Sequence, residues 1–172
     1  MNPGSSARRE LLNLDLAGLR FARTHFHSPD ADRAVAAFSR LGEHGACWMA
    51  LGLAGAVRSE DEDRRRAWLR GVGVVVGAYA LNFAVKLTVR RRRPKLPGLP
   101  PLSSTVSQLS FPSAHATTSF AGAHAYSGLA PCGPLYAVAI AFALSRPYLG
   151  VHYPSDVIAG AALGTALGSL AR

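Results

Sequence analysis

Ser145-Arg146-Pro147-Tyr148-Leu149-Gly150-Val151-His152-Tyr153-Pro154-Ser155-Asp156 separates two apolar runs rich in small residues, and its reading decides the fold. Both runs read as helices, yet the stretch between them holds an arginine, a histidine and an aspartate. Proline suits the first turn of a helix and not its interior, so the second helix is expected to start at Pro154. His152 then sits just outside that helix and Asp156 within its first turn, where the backbone dipole favours a negative charge. A carboxylate beside an imidazole holds one ring nitrogen as donor and leaves the other free as base or nucleophile. Arg146 points to an anionic reactant. The same spacing also suits the solvated polar ends of a helix–turn–helix, so the decision falls to other parts of the chain.

Two further stretches weigh on the catalytic side. Lys86 is followed seven residues later by Arg93-Pro94, and Phe111-Pro112-Ser113-Ala114-His115 opens another apolar run. Lys-x6-Arg-Pro, Pro-Ser-Ala-His and Ser-Arg-x5-His-x3-Asp resemble, in order, the three signatures of the type 2 phosphatidic acid phosphatase family. That family shares its site architecture with vanadium haloperoxidases. The motifs cover residues 86–156, and the resemblance extends loosely over about 30–171. One departure is Ala114, where the family usually has glycine; alanine still supplies an amide N–H.

The resemblance implies roles residue by residue. His152 is the nucleophile that takes the phosphoryl group, with Asp156 orienting it. His115 is the acid that protonates the leaving oxygen and later activates water. Lys86, Arg93, Ser113, Ala114 and Arg146 form the phosphate-binding set; Arg90 matches no family position. Cations neutralising the equatorial oxygens do the work a metal does elsewhere. Neither metal nor cofactor is expected, because the carboxylate clusters that would bind a metal are missing and the acids at 60–63 are expected on the opposite face.

Composition sets outer bounds. The chain has 172 residues, enough for one domain, and a formal charge of +9. Such a charge suits nucleic acid, anionic lipid or phosphorylated substrates. Basic residues sit at the ends of apolar runs without interleaved aromatics, which disfavours nucleic acid. Cys47 and Cys132 form no metal or disulfide pattern. The first 30 residues lack the continuous apolar core of a signal peptide. Abundant Ala, Arg and Gly suit a GC-rich bacterial genome.

The expected fold is an all-α integral membrane bundle of about five spans with an N-terminal amphipathic surface helix. Residues 1–30 form a tail, disordered over 1–5, and an interfacial helix over 8–26; residues 31–172 form the phosphatase domain. Ser28-Pro29-Asp30 reads as a helix start. The spans are 31–57, 67–89, 113–130, 134–150 and 155–171, with 67–89 nearest the ~20 residues a bilayer requires. Residues 58–66 form a charged turn and 95–110 a loop over the site. A soluble helical bundle is the rival, since mean hydropathy is low. Lys86, Arg90 and Arg93 are expected on one helical face, by offsets of four and seven. The glycines at 160, 164 and 168 lie four apart, as in closely packed membrane helices.

Counting spans places all three motifs on one membrane face and the turns at 58–66 and 131–134 on the other. The charge balance of the two faces leans to a cytoplasmic active face. Glu43 and His44 fall near that face, and His124 inside a span, hydrogen-bonded within the bundle. The expected substrate is a lipid phosphate, most similar to those of actinobacterial enzymes acting on polyprenyl carriers. The 5-phosphate of decaprenylphosphoryl-phosphoribose, a polyprenyl diphosphate, phosphatidate and phosphatidylglycerol phosphate all fit the motifs. Rival functions are vanadate-dependent halide oxidation and lipid binding by an inactive site. The expected partners are the bilayer and its lipid substrate, with monomer and homodimer both open.

Overall fold

The computed structural model describes residues 3–171. Seven α-helices follow in order: α1 Pro3–Thr24, α2 Pro29–Leu41, α3 Ala46–Arg58, α4 Glu62–Val89, α5 Ala114–Tyr126, α6 Cys132–Tyr148 and α7 Pro154–Gly168. Among the described residues there is no extended strand, only isolated backbone bridges at Arg92–Leu109 and Leu96–Leu99. Disorder over 1–5 is corrected for residues 3–5, which open α1; residues 1 and 2 lie outside the described residues.

Helix starts follow local chemistry. Ser28 caps α2 by accepting the Ala31 amide at 3.1 Å, and Asp61 caps α4 by accepting that of Arg64 at 2.7 Å. Pro154 sits in the first turn of α7, with His152 outside it and Asp156 inside, as expected. The expected span over 31–57 is not one helix. It breaks at Glu43–Gly45, where His44 has φ 55° and Gly45 φ 73°. The left-handed backbone that glycine tolerates separates α2 from α3 there and turns Glu43 and His44 out of the helix stack. A second correction concerns α4, which stops at Val89 with Arg90 in the left-handed region at φ 54°. Arg93 therefore lies beyond the helix and does not share a face with Lys86 and Arg90.

The core lies where α3, α4, α5 and α6 meet, around Trp48, Val75, Tyr126 and Phe142. Its polar tips are satisfied: Trp48 Nε1 donates to Ser119 Oγ at 3.0 Å, and the Tyr126 hydroxyl to the Trp48 carbonyl at 3.1 Å. α7 lies against α5 through Gly160, Gly164 and Gly168. A Cβ at Gly164 would stand on the Thr117 carbonyl oxygen, and one at Gly160 would be 2.6 Å from that of Ser113. His124 is held inside the bundle by the Tyr136 hydroxyl at 2.7 Å.

Among the described residues α4 alone is long and apolar enough to cross a membrane, by length and composition. Helices α3, α5, α6 and α7 have 13, 13, 17 and 15 residues. The end of α4, the starts of α5 and α7 and the end of α6 meet at one end, with the 42–45 break and the 90–113 connection. At the opposite end Arg64 donates to the Leu129 carbonyl at 2.7 Å, tying together the starts of α4 and the α5–α6 turn.

Candidate active site

His152 is buried at the head of α7. Its Nε2 lies 3.0 Å from Nη1 of Arg93. A guanidinium only donates, so Nε2 accepts, and the ring proton of the neutral imidazole sits on Nδ1. That Nδ1 faces Oδ2 of Asp156 at 3.5 Å, a contact too long for a good hydrogen bond, and it is buried without another partner. Burial, then the charges of Arg93 and Arg146, hold the imidazole well below the usual histidine range. A neutral ring with its lone pair on Nε2 is the form that attacks an electrophile.

Asp156 is wholly buried and fixed by the Tyr153 amide on Oδ2 at 2.9 Å and by Arg91 Nη1 on Oδ1 at 2.8 Å. Arg93 reaches His152 from the loop after α4, braced by Nε on the Ser107 carbonyl and Nη1 on the Val151 carbonyl, each at 2.7 Å. Burial draws its guanidinium down to about 10, so it stays charged at neutral pH.

Lys86 is buried at the last turn of α4 and donates to the Pro112 and Ser110 carbonyls at 2.6 and 3.1 Å. Two of its three ammonium protons are thus committed, and one is left for a ligand. Arg146 gives Nη1 to Ser39 Oγ at 2.6 Å, while its Nε is buried without a partner. An orphaned buried donor in a basic cavity is what a phosphate oxygen would satisfy.

At the head of α5, Ser113 Oγ accepts the Ala116 amide at 3.5 Å, and the Ser113 carbonyl accepts that of Thr117 at 2.9 Å. The Ala114 and His115 amides precede the first intrahelical bond and suit an anion. Ser113 itself is set back from the cavity and gives its amide to the Asp156 carbonyl at 2.9 Å. His115 shares Nε2 with the Ser39 carbonyl at 2.9 Å. A carbonyl only accepts, so Nε2 carries a proton there, and a proton for a leaving group travels on Nδ1 or requires Ser39 to be released.

Lys86, Arg93, Ala114, His115, Arg146 and His152 line one cavity of about 100 Å³. Its outer wall is Glu43, His44, Tyr79, Phe83 and loop residues 105–107. His44 Nδ1 meets the Tyr79 hydroxyl at 2.7 Å on this rim. Three cations around one small space favour a dianion such as phosphate. Among the described residues no group of three or more His, Cys, Asp or Glu side chains is placed to hold a metal ion.

Three supporting residues carry no family signature. Asn82 donates to the Pro112 carbonyl at 3.2 Å and Thr117 Oγ1 at 2.9 Å, fixing the loop that Lys86 also grips. A lone amide one turn before Lys86 in an apolar helix is a signal that could have marked it. Ser39 and Arg91 gave no such sign, one being an ordinary serine and the other one arginine among four.

Residues 67–172 match the PAP2 superfamily. Decaprenylphosphoryl-5-phosphoribose phosphatase of Mycobacterium tuberculosis is 47% identical over 134 residues, covering 77% of this chain and 73% of that protein. The transmembrane PAP2 type phosphatidylglycerolphosphate phosphatase of Bacillus subtilis superposes with a TM-score of 0.72 at 25% identity, over 99% of this chain and 85% of that one. A bacterial vanadium-dependent iodoperoxidase shares the fold, with a TM-score of 0.74 at 17% identity over 91% of this chain and 48% of that one.

Proposed function

From the premise that this chain belongs to the PAP2 superfamily and is a phosphoric monoester hydrolase, we propose that it removes a terminal phosphate from a polyprenyl-linked lipid, decaprenylphosphoryl-5-phosphoribose or a near analogue. The observation that carries the reaction is the pairing of a neutral, Nε2-accepting His152 with three cations around one small cavity. Identity to the mycobacterial phosphatase supports the lipid. Glu43 on the rim agrees with it, since a carboxylate there can accept hydrogen bonds from sugar hydroxyls.

In the proposed sequence Nε2 of His152 attacks phosphorus in line as the bond to the leaving oxygen breaks. Arg93 shifts from Nε2 to a phosphoryl oxygen, joining Lys86, Arg146 and the Ala114 and His115 amides in stabilising the equatorial oxygens. His115 gives a proton to the leaving oxygen. Water then attacks the phosphohistidine, His115 takes a water proton, and phosphate departs from regenerated His152. Asp156 supports the ring throughout. The three side-chain cations supply the charge, so the reaction is proposed to proceed without a metal.

The bundle is proposed to sit in the cell membrane with about five tilted spans and α1 at its surface, the site facing the cytoplasm. Large apolar side chains stay exposed on its outer faces, among them Leu53 on α3, Val76 and Phe83 on α4, Leu144 on α6 and Ile158 on α7. A phosphatidylglycerol phosphate substrate is the second reading, favoured by the alignment of nearly the whole chain with the Bacillus subtilis enzyme. The test is phosphate release by purified protein in detergent with chelator present. Faster release from decaprenylphosphoryl-5-phosphoribose than from decaprenyl diphosphate, phosphatidate or phosphatidylglycerol phosphate is expected. Failure to hydrolyse any of them would overturn the proposal.

A further inference from the structure

Asp156 has a second neighbour besides His152. Arg91 gives Nη1 to Asp156 Oδ1 at 2.8 Å and Nη2 to Asp15 Oδ2 at 2.7 Å, joining two carboxylates through one guanidinium. Asp15 comes from the middle of α1 and is 3% exposed, although its neighbours Leu11, Leu12 and Leu14 are exposed. Its Oδ1 accepts the Ser155 amide at 2.9 Å, and its Oδ2 accepts the Ser155 hydroxyl. Ser155 Oγ in turn accepts Arg91 Nη1 at 2.8 Å. The guanidinium lies 4.0 Å over the Tyr153 ring. His152 and Asp156 therefore flank a three-residue segment held by Arg91 on one side and Asp15 on the other.

The charges make this more than a brace. A wholly buried carboxylate is costly to keep ionised without a partner, and Arg91 is that partner. Alone, however, Arg91 would neutralise Asp156 and weaken its attraction for the Nδ1–H of His152, 3.5 Å away. Asp15 shares the same guanidinium, so one positive and two negative charges leave the group with a net charge of −1 facing the histidine. Burial raises the Asp15 carboxyl, but its bonds to Arg91 and Ser155 outweigh that and hold it below the ordinary range. It is thus ionised at neutral pH. The planar fork of arginine can serve two carboxylates at once, which a lysine cannot.

We propose that Arg91 and Asp15 are positioning residues for phosphoryl transfer. Arg91 fixes and balances Asp156, and Asp15 locks Arg91 and the Ser155 backbone. The N-terminal helix is thereby part of the active site, although it lies outside the 67–172 stretch that carries the family match. This rests on the phosphatase reading, so the test has one arm that needs turnover and one that does not.

Full-length Asp15→Asn, Arg91→Lys, Arg91→Met and Asp156→Asn are compared in detergent, with dioctanoyl phosphatidate as probe. Residues behind metal-bound histidines matter by about 10–100-fold; by analogy Arg91→Met is expected to lose at least about tenfold in kcat with KM nearly unchanged. Arg91→Lys should recover part of that loss, and Asp15→Asn should fall between wild type and Arg91→Met. Arg91→Met combined with Asp156→Asn should be no slower than Asp156→Asn alone, because both act through one carboxylate. The second arm is ¹⁵N NMR of histidine-labelled protein, in which the Nδ1 resonance of His152, facing Asp156, should shift in Asp15→Asn and Arg91→Lys while Arg93 keeps Nε2 an acceptor. That arm reads the inference even for a protein inactive on the probe, and through the near-isosteric Asp15→Asn even where Arg91→Met does not fold. A wild-type Nδ1 resonance and wild-type kcat in both Asp15→Asn and Arg91→Lys would overturn the proposal. Losses that multiply with that of Asp156→Asn would overturn it as well.

Discussion

Nη1 of Arg93 donates to Nε2 of His152 at 3.0 Å, so the lone pair that would attack phosphorus is occupied by an arginine until an anion draws that arginine away. The same guanidinium also holds the Ser107 and Val151 carbonyls. Arg93→Lys keeps the charge but cannot span these partners. It should lower kcat/KM about 100-fold, or about 2.7 kcal/mol, near the upper end of the range for a hydrogen bond to a charged group. Steady-state kinetics on a lipid phosphate checks this; wild-type values in Arg93→Lys would contradict it.

The depressed His152 sets the response to acid. In the folded protein it stays neutral well below its unfolded value of about 6.5, so below that pH the unfolded chain binds the extra proton. Stability should therefore fall as pH drops through the ordinary histidine range and be free of this penalty above it. Asp15, held below the ordinary carboxylate range, acts in the same direction at lower pH, its contribution fading as the pH falls through its folded-state value. Thermal melts from pH 8 to 5 should show the first decline, and it should be reduced in His152→Ala.

Ser39 serves two site residues through different atoms, its hydroxyl holding Arg146 and its carbonyl His115. Ser39→Ala removes only the first. Loss of a hydrogen bond to a charged group is worth about 1.5–3 kcal/mol, so affinity for inorganic phosphate as product inhibitor should fall about tenfold or more. The ratio of aryl to alkyl phosphate turnover, which reports on proton donation by His115, should stay constant.

The three motifs, their convergence at one end and the start of α7 were legible because each rests on local chemistry: a proline in a first turn, a serine cap, an apolar run with a charged end. The break at 42–45 was less so. Its cause is a left-handed turn at His44 and Gly45, and glycines flanking a short polar pair do not distinguish a kink from a continuous helix. The spacing of Arg93 from Lys86 suits one helix face, whereas the αL turn at Arg90 redirects the chain. Nothing in the amphipathic pattern of the N-terminal helix singles out Asp15. Its burial depends on Arg91 and Ser155, 76 and 140 positions away, and no local pattern encodes partners so distant.

The glycine ladder gives a stability test with an internal control. A Cβ at Gly164 meets the Thr117 carbonyl and the Ala121 amide, while nothing lies within 4 Å of one at Gly77. Overpacking typically costs about 1–3 kcal/mol, so Gly164→Ala should lower Tm by several degrees. Gly77→Ala, in a helix interior, should leave Tm unchanged or raise it. Equal melting points for the two variants would contradict tight α5–α7 packing.

The central claim is that phosphorus passes through His152. Protein is mixed with ³²P-labelled lipid phosphate in chelator, quenched in alkali because phosphohistidine is acid-labile, and digested to locate the label. His115→Ala is the most favourable background, since loss of water activation slows the second step and lets the intermediate accumulate. The account predicts label on the peptide carrying His152, more of it in His115→Ala than in wild type, and none in His152→Ala together with no turnover. Unimpaired phosphate release by His152→Ala, or label that persists without His152, would contradict it.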